Sequence, residues 1–311
     1  MIYTLTLNPS VDRELSVPRI DFDSVLRTSA TRLDWGGKGI NVSRMLKSLG
    51  CESIVLGAAG GKMGEMLRDG IEALGIPTDF IWLDGETRSN ISIVPADASR
   101  YIKVNEPGPA VSPALLEQIL SKVEGLAAPG DWWVMGGSLL PGMQADFYAS
   151  LIRALNQAGA RVILDAEGEA LRLGCEAKPF LVKPNHIEAG NLTGMPAGTV
   201  EESARAARQI LSLGPQEVVI SMGETGALLA NRAGTWRVHS PKIQVRNPIG
   251  AGDSMVGGLV FGLVQELAVL DALKWGVACG AAAASLDGTA IGSRERVDQL
   301  LQEVTVSALP A

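Results

Sequence analysis

The chain has 311 residues, with 27 Lys and Arg against 34 Asp and Glu, a formal net charge of −7, and 46% hydrophobic residues. That apolar content excludes disorder, and a chain this long buries roughly three quarters of its unfolded surface. An acidic balance with no cluster of Lys and Arg excludes a nucleic-acid groove, where cations must face phosphates. Three cysteines, Cys51, Cys175 and Cys279, with no C-x-x-C, argue against a disulfide framework and for small apolar residues in a reducing compartment. Two histidines, His186 and His239, leave no material for a histidine-rich metal site.

The opening Met1–Asn8 alternates like a strand and lacks the basic start and long apolar run of a signal peptide. The most apolar stretches, 255–265 and 275–286, are too short to span a bilayer. These features predict a soluble, cytoplasmic protein with no membrane partner. Strands are expected at 2–7, 53–56, 80–83, 132–135, 161–164, 180–182 and 218–221. Helices are expected at 38–49, 64–74, 113–126, 144–158 and 200–213, the first, second and fourth closed by Gly50, Gly75 and Gly159. This alternation predicts a single α/β domain over 1–311, with a mainly parallel sheet flanked by helices. Residues 11–34 and 87–105 contain short alternating runs and no helix. They are expected to pair as a small antiparallel sheet that covers a site or a second subunit. Residues 252–286 read as two packed helices and 294–304 as a last amphipathic one.

The stretch Asn247–Gly258 carries the chemistry. Gly250, Ala251 and Gly252 form a turn stripped of side chains ahead of an apolar helix, so its amides can converge on an anion such as a phosphoryl group. Asp253 reads two ways: as a cap of its own helix, or as a carboxylate taking a proton from a hydroxyl that attacks the phosphoryl group. The residues alone leave both open. No G-x-x-x-x-G-K-[ST] motif is present, and Asn8-Pro9-Ser10 follows the first strand where a dinucleotide-binding chain would have G-x-G-x-x-G.

Gly250-Ala251-Gly252-Asp253-Ser254 resembles the C-terminal signature of the PfkB group of ribokinase-like carbohydrate kinases, and Gly36-Gly37-Lys38-Gly39-Ile40-Asn41-Val42 resembles its N-terminal signature. Four more ordered segments match the family: Thr6–Asp12, Gly137–Gly142, Val182–Glu188 and Ser221–Gly226. The resemblance implies a ribokinase-like fold in which the helix-free segments form a lid. It implies Asp253 as catalytic base, with Gly250, Ala251 and Gly252 as the anion hole. Asp12, Gly37, Asn41, Arg88 and Ser138 are expected at the sugar phosphate. Lys183, Asn185, Ser221, Gly223 and Gly226 are expected along the ATP site, with Asn185 and Glu188 placing Mg²⁺ through water. Lys38 is grouped with the substrate residues, with a surface lysine at the helix start as the alternative. For Asn185 and Glu188 the alternative is a capping box. Family members often use K⁺ near the anion hole, and a homodimer through the lid is expected.

The opening segment and the run Thr87, Arg88, Asn90 resemble the branch acting on sugar phosphates. Fructose 1-phosphate, fructose 6-phosphate and tagatose 6-phosphate remain as acceptors. Gly36–Gly39 resembles the 1-phosphofructokinases and tagatose-6-phosphate kinases, whereas Lys103 stands where 6-phosphofructokinases carry a basic phosphate contact. Val25 departs from those that supply a lysine from the neighbouring lid. The expected activity is that of a phosphofructokinase giving fructose 1,6-bisphosphate, with tagatose-6-phosphate kinase as the alternative. A sugar-phosphate-binding regulator without turnover is a distant rival, opposed by the intact Asp253 and glycine turn.

Overall fold

A computed structural model describes residues 1–96 and 101–310. The first part of the chain forms β1 (Ile2–Thr6), β2 (Ser10–Val17), β3 (Ala30–Gly36), α1 (Lys38–Ser48), β4 (Ile54–Ala59), α2 (Gly61–Ala73), β5 (Thr78–Trp82), β6 (Arg88–Pro95) and β7 (Ile102–Asn105). The middle forms α3 (Pro113–Leu126), β8 (Trp132–Gly136), α4 (Phe147–Gln157), β9 (Arg161–Asp165), α5 (Gly168–Glu176), β10 (Leu181–Val182), α6 (His186–Thr193) and α7 (Val200–Leu213). The rest forms β11 (Glu217–Ser221), β12 (Ala227–Asn231), β13 (Gly234–His239), α8 (Ala251–Val264), α9 (Val269–Ala284), α10 (Arg294–Leu301) and β14 (Thr305–Ala308).

Ten strands make one sheet in the order β14-β13-β12-β11-β10-β9-β8-β1-β4-β5, parallel from β11 to β5 and antiparallel from β11 to β14. Side chains alternate across it, and both faces are apolar. Tyr3, Leu5, Trp133 and Met135 join one core layer, whereas Ile2, Trp132 and Val134 join the other. A sheet covered on both sides needs such continuous apolar runs, which is why the strands stand out in the sequence. The expected helix and strand positions recur with shifts of one to three residues at their ends. Gly50, Gly75 and Gly159 each follow a helix with φ of 79°, 72° and 77°, as left-handed closing residues do.

Three features differ from expectation. The helix expected to run to residue 304 ends at Leu301, and Thr305–Ala308 instead adds an edge strand to β13. The β12–β13 hairpin turns at Arg232-Ala233, without the Gly-Gly or Asn-Gly pair that marks a tight turn in sequence. Helix α5 is only nine residues long, with too few turns to display a clear period.

The second sheet has the order β3-β2-β6-β7. β2–β3 and β6–β7 are antiparallel, and a parallel β2–β6 pairing joins the two pairs. Residues 97–100, inside the segment expected to be lid, lie outside the described residues. The register sorts this sheet into a polar and an apolar face. Ser10, Asp12 and Glu14 pair with Arg88, Asn90 and Ser92, and Ser92 pairs with Lys103. The alternate residues Leu33, Ile91 and Val104 lie on the opposite, mainly apolar face, with the exposed Arg13 in register between Leu33 and Ile91. Its entry is stapled to the large sheet: Thr87 N donates to Gly60 O at 2.9 Å and Gly60 N donates to Thr87 Oγ1 at 2.9 Å.

Beyond β8, the buried Tyr148 hydroxyl lies 3.0 Å from Gly136 O and 3.1 Å from Gly137 O, holding the strand end that leads to Ser138. Tyr148→Phe is expected to lower the unfolding free energy by about 1–2 kcal/mol, because those carbonyls lose their buried donor. A urea melt with an unchanged slope and a lower midpoint checks this.

Candidate active site

The carboxyl ends of the parallel strands and the start of α8 enclose a cleft of about 920 Å³. Its polar wall holds Lys38, Asp165, Lys183, Asn185, Glu188 and Asp253, and its apolar wall includes Ile243, Val245, Val277, Ala281 and Ala284. Ser221, Gly223, Gly226, Ala251 and Gly252 also line it. Such a cleft at the carboxyl edge of an open α/β sheet is where ligands bind.

Asp253 stands in the first turn of α8, and its bond runs elsewhere. Oδ2 accepts from Asn41 Nδ2 of α1 at 2.8 Å, and α8 has no side-chain cap. The base reading is therefore geometrically open and the capping role is not taken. Burial pushes the Asp253 carboxyl up to about 6, with Asp165 adding to the rise and Asn41, Lys38 and Lys183 opposing it. Gly250 caps α8 at φ 79°, a left-handed conformation that favours glycine. The Ala251 amide closes a turn on Pro248 O at 3.2 Å. The Gly250, Gly252 and Asp253 amides have no partner among the described residues. These unpaired donors at the positive end of a 14-residue helix suit an anion.

Beside them lies an ion triad whose carboxylate and one of whose lysines are buried. Asp165, at the end of β9, places Oδ1 2.6 Å from Lys38 Nζ and Oδ2 3.0 Å from Lys183 Nζ. Burial raises the Asp165 carboxyl, but Lys183 and Lys38 outweigh it and hold it below the ordinary carboxylate range. Burial lowers the Lys38 ammonium, and Asp165 more than reverses that. Lys38 is thus a cleft residue rather than a surface one. The sequence reading missed Asp165; the available signal was an acid closing an expected parallel strand.

Asn185 and Glu188 form the alternative expected of them, a complete capping box on α6. Asn185 N donates to Glu188 Oε2 at 2.7 Å, and Glu188 N donates to Asn185 Oδ1 at 2.9 Å. Glu188 lines the cleft, and its Oε1 has no hydrogen-bond partner among the described residues, so the box leaves one hard oxygen uncommitted.

The expected substrate residues cluster around the lid. Asp12 Oδ1 accepts from Ser10 Oγ and from Asn90 Nδ2, both at 2.7 Å, which fixes the carboxylate and leaves Oδ2 available. Ser10 was not among the expected site residues. Gly37 takes φ 143°, and a Cβ there would stand 2.7 Å from Thr6 Cγ2. Arg88 donates through Nε to Asn8 O and through Nη1 to Glu106 O, both at 3.2 Å. Burial lowers its proton affinity, opposed by Asp12 and Glu106. Ser138 Oγ accepts from Asn8 Nδ2 at 3.3 Å. Lys103 pairs with Ser92 in the small sheet, exposed and without an ion pair among the described residues. Asn41 donates to the cleft's Asp253 through its side chain and to Gly37 O through its backbone N–H at 3.0 Å.

Asp253 also shapes stability. Its folded carboxyl binds a proton more tightly than the unfolded one, so folding takes up a proton between about pH 4 and 6 and stability falls as pH rises through that window. Asp253→Asn is expected to raise stability by about 2–3 kcal/mol at pH 8 and by almost nothing at pH 3.5. Thermal melts of both proteins across pH check the crossover.

Comparison with known proteins agrees with this geometry. The family model of the pfkB family carbohydrate kinases matches residues 6–296. The chain is 37% identical over 309 residues to the 1-phosphofructokinase of Bacillus subtilis, covering 99% of this chain and 100% of the relative. It is 32% identical over 309 residues to a tagatose-6-phosphate kinase of Staphylococcus epidermidis, covering 98% and 99%. The crystal structure of phosphofructokinase-2 from Escherichia coli in complex with potassium superposes with a TM-score of 0.92 at 31% identity, covering 97% of this chain and 98% of that one. By its motifs, its cleft and these matches, the chain belongs to the pfkB family of carbohydrate kinases and is an ATP-dependent sugar-phosphate kinase.

Proposed function

We propose that this kinase is a phosphofructokinase, transferring the γ-phosphoryl of ATP to a fructose phosphate to give fructose 1,6-bisphosphate. The observation that carries the reading is the buried Asp253 carboxylate, oriented by Asn41 next to the unpaired amides of α8. A base with a carboxyl near 6 is ionised at neutral pH and still close enough to the operating pH to take a proton. Asp253 accepts the proton of the attacking hydroxyl as the phosphoryl group crosses to it. Donors at Gly250 and Gly252, on the turn kept small by Ala251, bind the oxygens where charge spreads. Lys38 and Lys183 bring cationic charge to the phosphate end of the cleft. Ser221, Gly223 and Gly226 flank the nucleotide along with Asn185.

Asp12 Oδ2 and Asn41 bind sugar hydroxyls, with Gly37 and Ser138 bordering them. Arg88 Nη2 has no partner among the described residues and is available to meet the acceptor's own phosphate. Asn185 and Glu188 would hold Mg²⁺ through water, and the ion supplies charge neutralisation at the phosphates. Likeness to a 1-phosphofructokinase along the whole chain supports fructose 1-phosphate as first acceptor. Lys103, on the polar lid face with Arg88, favours fructose 6-phosphate as the second. The reading takes residues 1–311 as one kinase domain with its lid at about 11–34 and 87–105, working in the cytoplasm. It also takes the apolar lid face, with Leu33, Ile91 and Val104 exposed, as covered by the lid of a second copy.

Parallel ADP-release assays on fructose 1-phosphate, fructose 6-phosphate and tagatose 6-phosphate, with and without K⁺, test the substrate. Fructose 1-phosphate is expected to give the highest kcat/KM, and a preference for tagatose 6-phosphate would overturn the assignment. Asp253→Asn is expected to lose roughly 10²–10⁴ in turnover while folding normally. The double variant Ile91→Glu, Val104→Glu is expected to halve the mass seen by light scattering, and an unchanged mass would remove the lid-to-lid dimer.

A further inference from the structure

A chain of side chains runs from the lid to Asp253 and uses residues to which no role has been given above. Arg44 lies one turn after Asn41 in α1, with its side chain only 14% exposed. Its Nη1 donates to Asn41 Oδ1 at 3.2 Å and stands 3.2 Å from Asp34 Oδ1 of the lid strand β3. Asp34 Oδ2 accepts from Thr289 Oγ1 and faces Arg32 Nε at 3.6 Å. The lid carboxylate is therefore anchored on three sides.

An asparagine amide has two orientations of almost the same shape and opposite hydrogen-bonding sense. Turned one way, Asn41 offers Nδ2 to Asp253; turned the other way, it sets Oδ1 against a carboxylate oxygen, acceptor against acceptor. A guanidinium has donors only and stays charged at every working pH. With Arg44 on one side, the oxygen of Asn41 must face Arg44 and the nitrogen must face Asp253. We propose that Arg44 is a positioning residue: braced by Asp34 of the lid, its guanidinium fixes the Asn41 amide in the orientation that donates to Asp253. This rests on the reading of Asp253 as the base.

The consequence is a matter of sign. The Asn41 donor favours the ionised Asp253, whose other charged neighbours are Asp165, Lys38 and Lys183. Releasing the amide removes a donor from the anion, so Asp253 binds its proton more tightly and the acid limb of activity moves to higher pH.

The test is the pH profile of kcat/KM for Arg44→Ala and for Arg44→Gln, the second keeping most of the stem if the first folds poorly. Each is measured against the parent on the same sugar phosphate, which cancels titration of the substrate. The limb is expected to rise by about one pH unit. With a starting value near 6, that is roughly a fivefold loss at pH 6 and almost none at pH 8. In an Asn41→Ala background, Arg44→Ala is expected to move the limb no further, whereas a direct charge effect would persist there. An unmoved limb, a loss equal at all pH values, or the same shift in both backgrounds would overturn the proposal. Asp253→Asn separates the layers: if it keeps turnover, the base reading fails. If it abolishes turnover while the limb of Arg44→Ala stays still, only the positioning role fails.

Discussion

Asp165 sits 3% exposed between Lys38 and Lys183 Nζ, at 2.6 and 3.0 Å, and the charge of the whole cleft depends on that clasp. A buried carboxylate and a buried ammonium are each costly alone, and here each satisfies the other. The count is uneven: two cations meet one anion, so the triad carries a net positive charge. That surplus adjoins the start of α8, where a Cβ on Gly252 would stand 3.6 Å from Lys183 Nζ. Helix dipole, unpaired amides and surplus cation thus add at one point. The triad also joins the end of β9, the start of α1 and the residue after β10, so the strand ends that shape the cleft are tied by charge as well as by backbone pairing.

On the proposed reading of Asp253 as the base, the clasp explains how the group can be both buried and useful. Burial and Asp165 push its carboxyl up; Asn41, Lys38 and Lys183 pull it back. If burial dominated, the group would stay protonated and take no proton; if the cations dominated, the anion would be too weak a base. The value near 6 is the balance of the two. Stability is given up for it, since an ionised carboxylate is kept out of water at neutral pH.

What could be read from sequence follows the range of the interactions involved. The doubly covered strands were legible because both faces of Trp132–Gly136 or Arg161–Asp165 must be apolar, and that is a local pattern. Glycine caps were legible for the same reason. The turn at 250–252 was visible because it lacks side chains, yet Asp253 is bonded by Asn41, 212 positions away, and although the family resemblance marked both residues, only the structure shows their contact. Asp165 and Arg44 were missed because nothing beside them in the chain hints at their partners. Lys38 and Lys183 lie 127 and 18 residues away from Asp165, at distances no periodicity encodes. The β12–β13 hairpin was missed for a local reason, its turn residues being Arg and Ala.

The capping box on α6 shows how a structural and a chemical role share one side chain. A free glutamate on a short helix samples many rotamers, and holding it still for a metal would cost entropy on binding. With Oε2 engaged by Asn185 N, Glu188 loses that freedom when the helix forms, before any ligand arrives. The Asn185 side chain is fixed in turn by Glu188 N, and Asn185 itself is bridged to Ser221 at the end of β11. The remaining oxygen Oε1 is therefore carried by a cleft residue held in place by a motif whose first function is to start a helix. On the proposed reading, in which Asn185 and Glu188 would hold a hydrated cation, forming the capping box also orders those two side chains in advance.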